Sequence, residues 1–273
     1  MNPRIKPWAL KLCAAAVLGT GSLGANAAFS IALTFSGLTP TQESYFGAAA
    51  SFWENVITGY KPLVTLTGLS ISASGVPIDG SGGVLGSAGP DSITQQQLTR
   101  YTTTGSMEFD TADINTLIGN GSFANVIKHE MAHVIGFGTL WSLNNLYVNT
   151  SGRYTGVNGL LTYRSEFNQP LALFVPVELG GGGGTADGHW NEVDGGGGNT
   201  GITDTQGRDM RLELMTGWLN EPAFVSRMTA AQFQDLGYVV NLSAVPEPAA
   251  LALLLAGIPM VAGVALRRRR HLA

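Results

Sequence analysis

The segment His129–His133 reads HEMAH and limits the possible folds more than any other part of the sequence. It lies within 122–137, a stretch predicted to be helical because a serine can cap its start. Residues four positions apart share one face of a helix, with Cβ atoms about 5–6 Å apart, so His129 and His133 can bind the same metal ion. Zinc suits two imidazole ligands, and Glu130 lies close enough to act on a zinc-activated water without binding the metal. The alternative is a core helix that happens to carry two histidines.

A third protein ligand is expected because a catalytic zinc usually has three, with the fourth position open. The chain has four histidines, and His271 lies in a basic C-terminal segment that is expected to be removed. His189 is therefore the predicted third ligand. The alternative is a carboxylate, for which Glu192 is the strongest of the four downstream residues: Glu166, Glu178, Glu192 and Asp194.

Residues 1–27 have the pattern of a secretory signal peptide. Three basic residues precede a short apolar run, 12–18, and Ala25–Ala27 (ANA) fits a cleavage site. The apolar run is too short to cross a bilayer comfortably, so a permanent N-terminal anchor is the less favoured interpretation. The only cysteine, Cys13, lies in this segment. The exported protein is therefore expected to have no disulfide and to depend on its core, on bound metal, or on both.

Residues 245–273 have the pattern of a sorting tail. Val245–Pro248 (VPEP) is followed by the uncharged apolar run 249–266 and then by four arginines, Arg267–Arg270. The run is near the minimum length of a transmembrane helix, and the arginines would stay in the cytoplasm. This arrangement resembles the PEP-CTERM tail of Gram-negative bacteria. The resemblance implies processing by an exosortase-type enzyme at the envelope, and the alternative is a plain C-terminal anchor.

The distribution of charge argues against nucleic-acid binding. The whole chain has 15 basic and 19 acidic residues, a net charge of -4. Seven of the basic residues and none of the acidic ones lie in 1–27 and 249–273, so removing both segments leaves a net charge of -11. A protein this acidic is soluble and repels polyanions.

The part of the chain before the HEMAH segment is predicted to contain one long helix and two strands. Thr39–Gln42 (TPTQ) has the pattern of a helix start, with Thr as the cap and Pro at the first position, and Gly59 fits the helix end. The predicted strands are 63–72 and 101–109, separated by a glycine-rich loop, 75–89. Thr102–Phe109 could be an edge strand that binds an extended peptide, and a buried strand is the alternative.

The part of the chain after the HEMAH segment is predicted to be more irregular. Residues 142–178 contain possible short strands near Leu160 and Leu171. The glycine runs 180–184 and 195–198 predict either a mobile flap beside the third histidine or a disordered insertion. A last helix is predicted from Thr229 to Asp235, followed by an extended segment, 238–240.

The segment His129–Gly136 reads HExxHxxG and resembles the zinc-binding motif of the metzincin peptidases. Most metzincins have their third ligand three residues after this glycine, where the present chain has Thr139. The leishmanolysin branch instead has a long insertion before its third histidine. His189, 56 residues after His133, matches that arrangement.

Two further segments extend the resemblance to the leishmanolysin branch. Glu213–Gly217 (ELMTG) resembles its Met-turn, which implies that Met215 lies beneath the metal, and Ser226–Val240 resembles its closing helix and strand. The chain departs from the family in having no disulfides and no evident pro-segment. Gly217 also stands where some metzincins have a tyrosine, so the sequence does not identify an oxyanion stabiliser.

The resemblance implies an exported zinc endopeptidase of α+β class, with a catalytic domain over 28–244. We expect a metzincin-like fold with a twisted mixed sheet, an active-site helix and a smaller C-terminal subdomain. Its substrate would be a protein or peptide, with Glu130 as general base. The expected location is outside the inner membrane of a Gram-negative bacterium, in the envelope or secreted, with membrane contact only through the C-terminal segment before processing. The alternatives are a catalytically silent surface protein stabilised by zinc and a zinc hydrolase with a carboxylate third ligand.

Overall fold

The computed structural model describes residues 28–193, 196 and 198–245. The predicted signal peptide, 1–27, and all but the first residue of the predicted sorting tail lie outside the described residues. Within the described part of the chain, no helix is long and apolar enough to cross a membrane. The apolar run 249–266 is not part of it, so both terminal assignments stay predictions.

Among the described residues, those up to Asp110 form five strands and one long helix. In chain order these are β1 (Ser30–Ser36), α1 (Pro40–Val56), β2 (Ile57–Tyr60), β3 (Gly68–Val76), β4 (Gly86–Gln96) and β5 (Thr99–Asp110). The described residues after Asp110 form four α-helices and three short strands. These are α2 (Ile114–Gly119), α3 (Phe123–Ile135), β6 (Arg153–Tyr154), α4 (Val157–Glu166), β7 (Val175–Pro176), α5 (Arg227–Asp235) and β8 (Tyr238–Val240).

The main sheet has the strand order β1-β3-β5-β4. Its first three strands are parallel, and β4 is antiparallel to β5. Together with the helices, this mixed sheet confirms the predicted α+β fold. The short strand β2 pairs with β8, with Tyr60 opposite Tyr238, which joins the first half of the chain to its end.

The prediction that Thr102–Phe109 forms an edge strand is wrong. This segment belongs to β5, which is paired on both sides, whereas β4 is the edge. Inward-facing residues of β5 such as Met107 are fully buried, as expected for an interior strand. The beginning of β4, 86–89, falls within the predicted loop 75–89, because a glycine-rich segment is a poor strand former. Pro90 comes next in β4, and proline in a sheet is confined to places such as an edge strand.

The predicted start of α1 is confirmed. The Thr39 side chain accepts a hydrogen bond from the Gln42 backbone N–H, and the Gln42 side chain accepts one from the Thr39 N–H at 2.8 Å. The helix ends at Val56 rather than at Gly59. It ends early because the next residues leave the helix to pair with β8.

Aromatic side chains hold α1 and α3 against the sheet. Phe46 of α1 and Phe109 of β5 lie edge to face with ring centroids 5.2 Å apart, and Phe123 of α3 lies 5.7 Å from Phe109. The Trp53 indole donates a hydrogen bond to the Lys128 carbonyl at 3.0 Å. These contacts fix the position of α3, the helix that carries HEMAH, relative to the sheet.

The segment predicted to contain a strand near Leu160 is the helix α4 instead. Its first turn is capped from a distant part of the chain: the Asp235 carboxylate accepts hydrogen bonds from the backbone N–H groups of Asn158 and Gly159, each at 2.9 Å. The last helix, α5, begins two residues earlier than predicted, at Arg227 rather than Thr229. Its cap is Ser226, whose hydroxyl accepts a hydrogen bond from the Thr229 N–H at 3.0 Å.

We expect Gly105→Ala to lower the free energy of unfolding by about 1–3 kcal/mol, the usual cost of overpacking a core. Gly105 lies in β5 directly beneath α3, where a Cβ would overlap a methyl group of Val134 and lie 2.7 Å from the Gly89 carbonyl oxygen. Urea denaturation of the purified protein measures the change. Gly89→Ala is the matched control because a Cβ there has no neighbour within 4 Å. Equal stability of the two variants would contradict this packing.

Candidate metal centre

Helix α3 presents His129, Glu130 and His133 over its last two turns and ends at Gly136. The chain then turns back, and the Thr139 hydroxyl donates a hydrogen bond to the His133 carbonyl at 2.7 Å. The third predicted ligand, His189, comes from a loop between β7 and α5.

The loop that carries His189 reaches the end of α3 at a contact between two glycines. Gly138 has a φ of 70°, in the left-handed region, and a Cβ on it would lie 2.8 Å from the Gly188 Cα. A side chain at Gly138 would therefore separate the loop from the helix. The close approach brings His189 over α3.

The imidazoles of His129, His133 and His189 converge. Each pair of Nε2 atoms is separated by 3.0 Å. His133 and His189 are buried, with 7% and 5% of their surfaces exposed. Histidine, cysteine and acidic side chains are the usual metal ligands. Among the described residues, these three histidines form the cluster of such side chains whose ligand atoms are close enough to hold one metal ion.

Backbone carbonyls set the orientation of all three rings. The Nδ1 atom of His129 lies 2.7 Å from the Leu214 oxygen, and that of His133 lies 3.0 Å from the Phe137 oxygen. The Nδ1 atom of His189 is held in the same way, 2.8 Å from the oxygen of Thr185. A carbonyl only accepts hydrogen bonds, so each Nδ1 carries the proton and each Nε2 presents a lone pair.

The chemistry of this donor set fits a bound cation. Three lone pairs facing one another at 3.0 Å repel unless a positive charge lies between them. Three nitrogens bound to a tetrahedral zinc at about 2.0–2.1 Å would lie roughly 3.3 Å apart, close to the observed spacing. Burial lowers the pKa of His129 to about 4 and that of His189 to about 3, which keeps the imidazoles neutral, the form that binds metals.

Glu130 lies beside this cluster in a buried position. Only 7% of its surface is exposed, and the start of β4 packs against it, since a Cβ on Gly86 would lie 3.3 Å from the Glu130 Cγ. Burial raises the pKa of the Glu130 carboxyl to about 8. A cation held by the neighbouring imidazoles would favour the ionised form, which can accept a proton.

The described carboxylates proposed as alternative third ligands have other partners. Glu166 accepts hydrogen bonds from the first backbone N–H groups of α5, and Glu178 accepts one from the Gly180 N–H. Glu192 accepts one from the Gly217 N–H at 3.1 Å through Oε2. None of the three belongs to the histidine cluster, and Asp194 lies outside the described residues.

The predicted Met-turn contacts His129 and the residue that follows His189. The Leu214 carbonyl contacts His129, as described above, and the carbonyl of the fully buried Met215 accepts a hydrogen bond from the Trp190 N–H at 3.0 Å. Trp190 directly follows His189. Both the position of Met215 beneath the metal and its role there stay predictions.

A family model for leishmanolysin matches residues 69–247 of this chain. The chain belongs to the leishmanolysin family. The matched region includes the HEMAH segment, His189 and Met215, and the family is one of metallopeptidases, so the leishmanolysin resemblance is confirmed. A comparison with curated proteins found no match.

Sequence reasoning missed the three groups that orient the histidines of the candidate metal centre. They are the backbone carbonyls of Phe137, Thr185 and Leu214, which any residue type supplies and which leave no signal in a sequence. Sequence reasoning also noted Glu213 only as part of the Met-turn. Its side chain accepts a hydrogen bond from the Met215 N–H at 2.6 Å.

Proposed function

We propose that this protein is an exported zinc endopeptidase that hydrolyses peptide bonds in protein substrates. The observation that carries the proposal is the convergence of three unprotonated Nε2 atoms, from His129, His133 and His189, beside a buried carboxyl group. Membership of the leishmanolysin family supports metallopeptidase activity in general. The choice of zinc rests on a donor set of three neutral imidazoles, typical of catalytic zinc sites.

The residues of the site divide the chemistry between them. His129, His133 and His189 would hold zinc, which polarises the substrate carbonyl and makes water a better nucleophile. Glu130 accepts a proton from the attacking water and delivers it to the leaving amine. Because Glu130 is buried, few solvent molecules compete with the attacking water for a hydrogen bond to its carboxylate, and electrostatic interactions there are less screened.

The free edge of β4 supports binding of the substrate as an extended strand. β4 pairs only with β5 among the described strands, so one side of its backbone is open for hydrogen bonding. Its first residue, Gly86, packs against Glu130. A peptide added to this edge would pass the catalytic carboxyl group, with backbone hydrogen bonds giving affinity.

The proposed location is outside the inner membrane of a Gram-negative bacterium. It rests on the signal-peptide pattern of 1–27 and the sorting-tail pattern of 245–273. An exosortase-type enzyme would process the tail, so membrane contact would be limited to that segment before processing. The acidic remainder argues against nucleic acid as a partner.

We expect the purified protein to cleave an unstructured substrate such as casein and a chelator to abolish this cleavage. Removing the ion leaves the three imidazoles without the Lewis acid that the reaction needs. Activity is measured by release of acid-soluble peptides, and added zinc should restore it after the chelator is dialysed away. Zinc-dependent melting without any hydrolysis would instead support the catalytically silent alternative.

A further inference from the structure

Glu213 is a fully buried carboxyl group that the proposed mechanism does not use. Only 1% of its surface is exposed, and it lies two residues before Met215. Glu213 forms no salt bridge in the described part of the chain, where the direct salt bridge joins Arg208 and Asp204. Hydrogen bonds rather than a cation therefore stabilise the Glu213 carboxylate. A buried charge without such compensation is costly.

Four donors converge on the Glu213 carboxylate. Oε2 accepts a hydrogen bond from the Met215 N–H at 2.6 Å. Oε1 accepts bonds from the Ser226 N–H and hydroxyl, each at 2.9 Å, and from the Thr229 hydroxyl at 2.6 Å. Burial raises the pKa of this carboxyl, and the four hydrogen bonds act in the opposite direction.

Both hydroxyl oxygens also accept hydrogen bonds from other partners. The Ser226 hydroxyl accepts a bond from the Thr229 N–H at 3.0 Å, and the Thr229 hydroxyl accepts one from the Trp190 indole at 2.9 Å. The two hydroxyl oxygens lie 3.2 Å apart, and each is closer to Glu213 Oε1, to which each can donate its proton. An ionised carboxylate, which only accepts, satisfies all four donors, whereas a glutamine amide would oppose one of them with its own N–H group.

This network reaches two of the three histidines. Glu213 holds the N–H of Met215, and the preceding carbonyl, that of Leu214, orients His129. On the other side, Glu213 holds the Thr229 hydroxyl that binds the Trp190 side chain, and Trp190 directly follows His189. One carboxylate thus connects elements that are distant in sequence and that each support a metal-binding imidazole.

We propose that Glu213 is a positioning residue of the metal site. It holds the Leu214 carbonyl against His129 and, through Thr229 and Trp190, the loop of His189. The inference rests on the proposed function in one respect, that these histidines bind a metal ion. It goes beyond the proposed function because it assigns to Glu213, which is not a metal ligand, the role of holding the ligands in position before the metal binds.

A purely structural role is the competing explanation, since Glu213 also contacts the first turn of α5. Glu166 is the matched control because it too is a carboxylate at the start of α5. It accepts hydrogen bonds from the N–H groups of Arg227 and Met228 at 3.0 and 2.8 Å. Glu166 itself is the last residue of α4, and only its carboxylate reaches the start of α5. Its side chain makes no contact with the Met-turn among the described hydrogen bonds. Glu166→Gln therefore perturbs the same helix without disturbing the histidines.

The test compares metal binding by the full-length wild type, Glu213→Gln and Glu166→Gln. Zinc affinity is measured by competition with a chromophoric chelator, and the visible spectrum of the Co²⁺-loaded protein reports ligand geometry. We expect Glu213→Gln to lose about 10–100-fold in zinc affinity, the usual cost of removing a supporting partner, and to alter the Co²⁺ spectrum. Glu166→Gln should keep both properties, whatever its melting temperature.

Wild-type affinity and spectrum in folded Glu213→Gln would overturn the proposal, as would equal losses in both variants. If Glu213→Gln fails to fold, the pair Thr229→Val and Thr229→Ser decides. Only the serine variant retains the hydroxyl between Glu213 and Trp190, so the valine variant alone should lose zinc affinity. Equal zinc affinity of the two Thr229 variants would overturn the proposal. A wild type that binds no metal would refute the proposed function instead, so the two failures are distinguishable.

Discussion

Glu130→Gln is expected to lower kcat for peptide hydrolysis by about 10²–10⁴-fold, the usual contribution of a positioned general base. Glutamine has nearly the same shape as glutamate, so packing against Gly86 is preserved. Its amide cannot accept the proton of the attacking water. Because Glu130 is not among the metal-binding residues, the variant should keep its zinc. Steady-state hydrolysis of a fluorogenic peptide gives kcat, and elemental analysis gives the zinc content.

Glu108→Gln is the matched control for this experiment. Glu108 lies on β5 with an exposed side chain, so the same chemical change there should leave kcat within about twofold of the wild type, as is usual for surface substitutions. Activity of Glu130→Gln or Glu130→Ala equal to that of the wild type would refute the assigned base. Loss of zinc from Glu130→Gln would show that the residue supports the metal rather than the proton transfer.

His189→Ala is expected to abolish both zinc binding and hydrolysis, while Glu192→Ala retains them. The wild type should bind about one zinc ion per chain through three protein ligands. In His189→Ala only the two histidines of α3 remain, one ligand fewer than catalytic zinc sites use. Zinc content after dialysis and the rate of casein hydrolysis measure the effect. We expect the zinc content of His189→Ala to fall close to zero.

Glu192→Ala is an informative control because Glu192 was the strongest carboxylate alternative. Its Oε2 accepts a hydrogen bond from the Gly217 N–H, and its Oε1 is buried with no hydrogen-bond partner among the described residues. Loss of zinc from Glu192→Ala together with retention of zinc by His189→Ala would overturn the assignment of the third ligand. It would also favour the alternative of a zinc hydrolase with a carboxylate ligand.

The elements predicted correctly are those stabilised by neighbours in the sequence. The capping box of Thr39 and Gln42 spans four residues, and the helix carrying HEMAH needs only its own backbone hydrogen bonds and apolar face. Local residue types therefore suffice to identify them. The candidate metal ligands of HEMAH were predictable for the same reason, since a spacing of four residues brings His129 and His133 to one face of the helix.

The elements predicted wrongly are those stabilised by distant partners. β4 contains glycine and proline, and it is a strand because β5 provides an antiparallel ladder, which is interrupted by a bulge between Pro90 and Ile93. α4 begins where Asp235, more than 70 residues away, caps its first turn. Tertiary contacts overrode weak local preference in both cases.

Residue chemistry and spacing alone determined which side chains can act in this protein: two imidazoles on one helix, a carboxyl group beside them, and a single further histidine, His189, before the basic tail. The tertiary structure decided which nitrogen of each ring faces the site, because that depends on carbonyls from three separate segments. It also decided that the edge beside Glu130 is β4. Backbone groups carry no residue-specific signal, so their roles become visible only when the chain is folded.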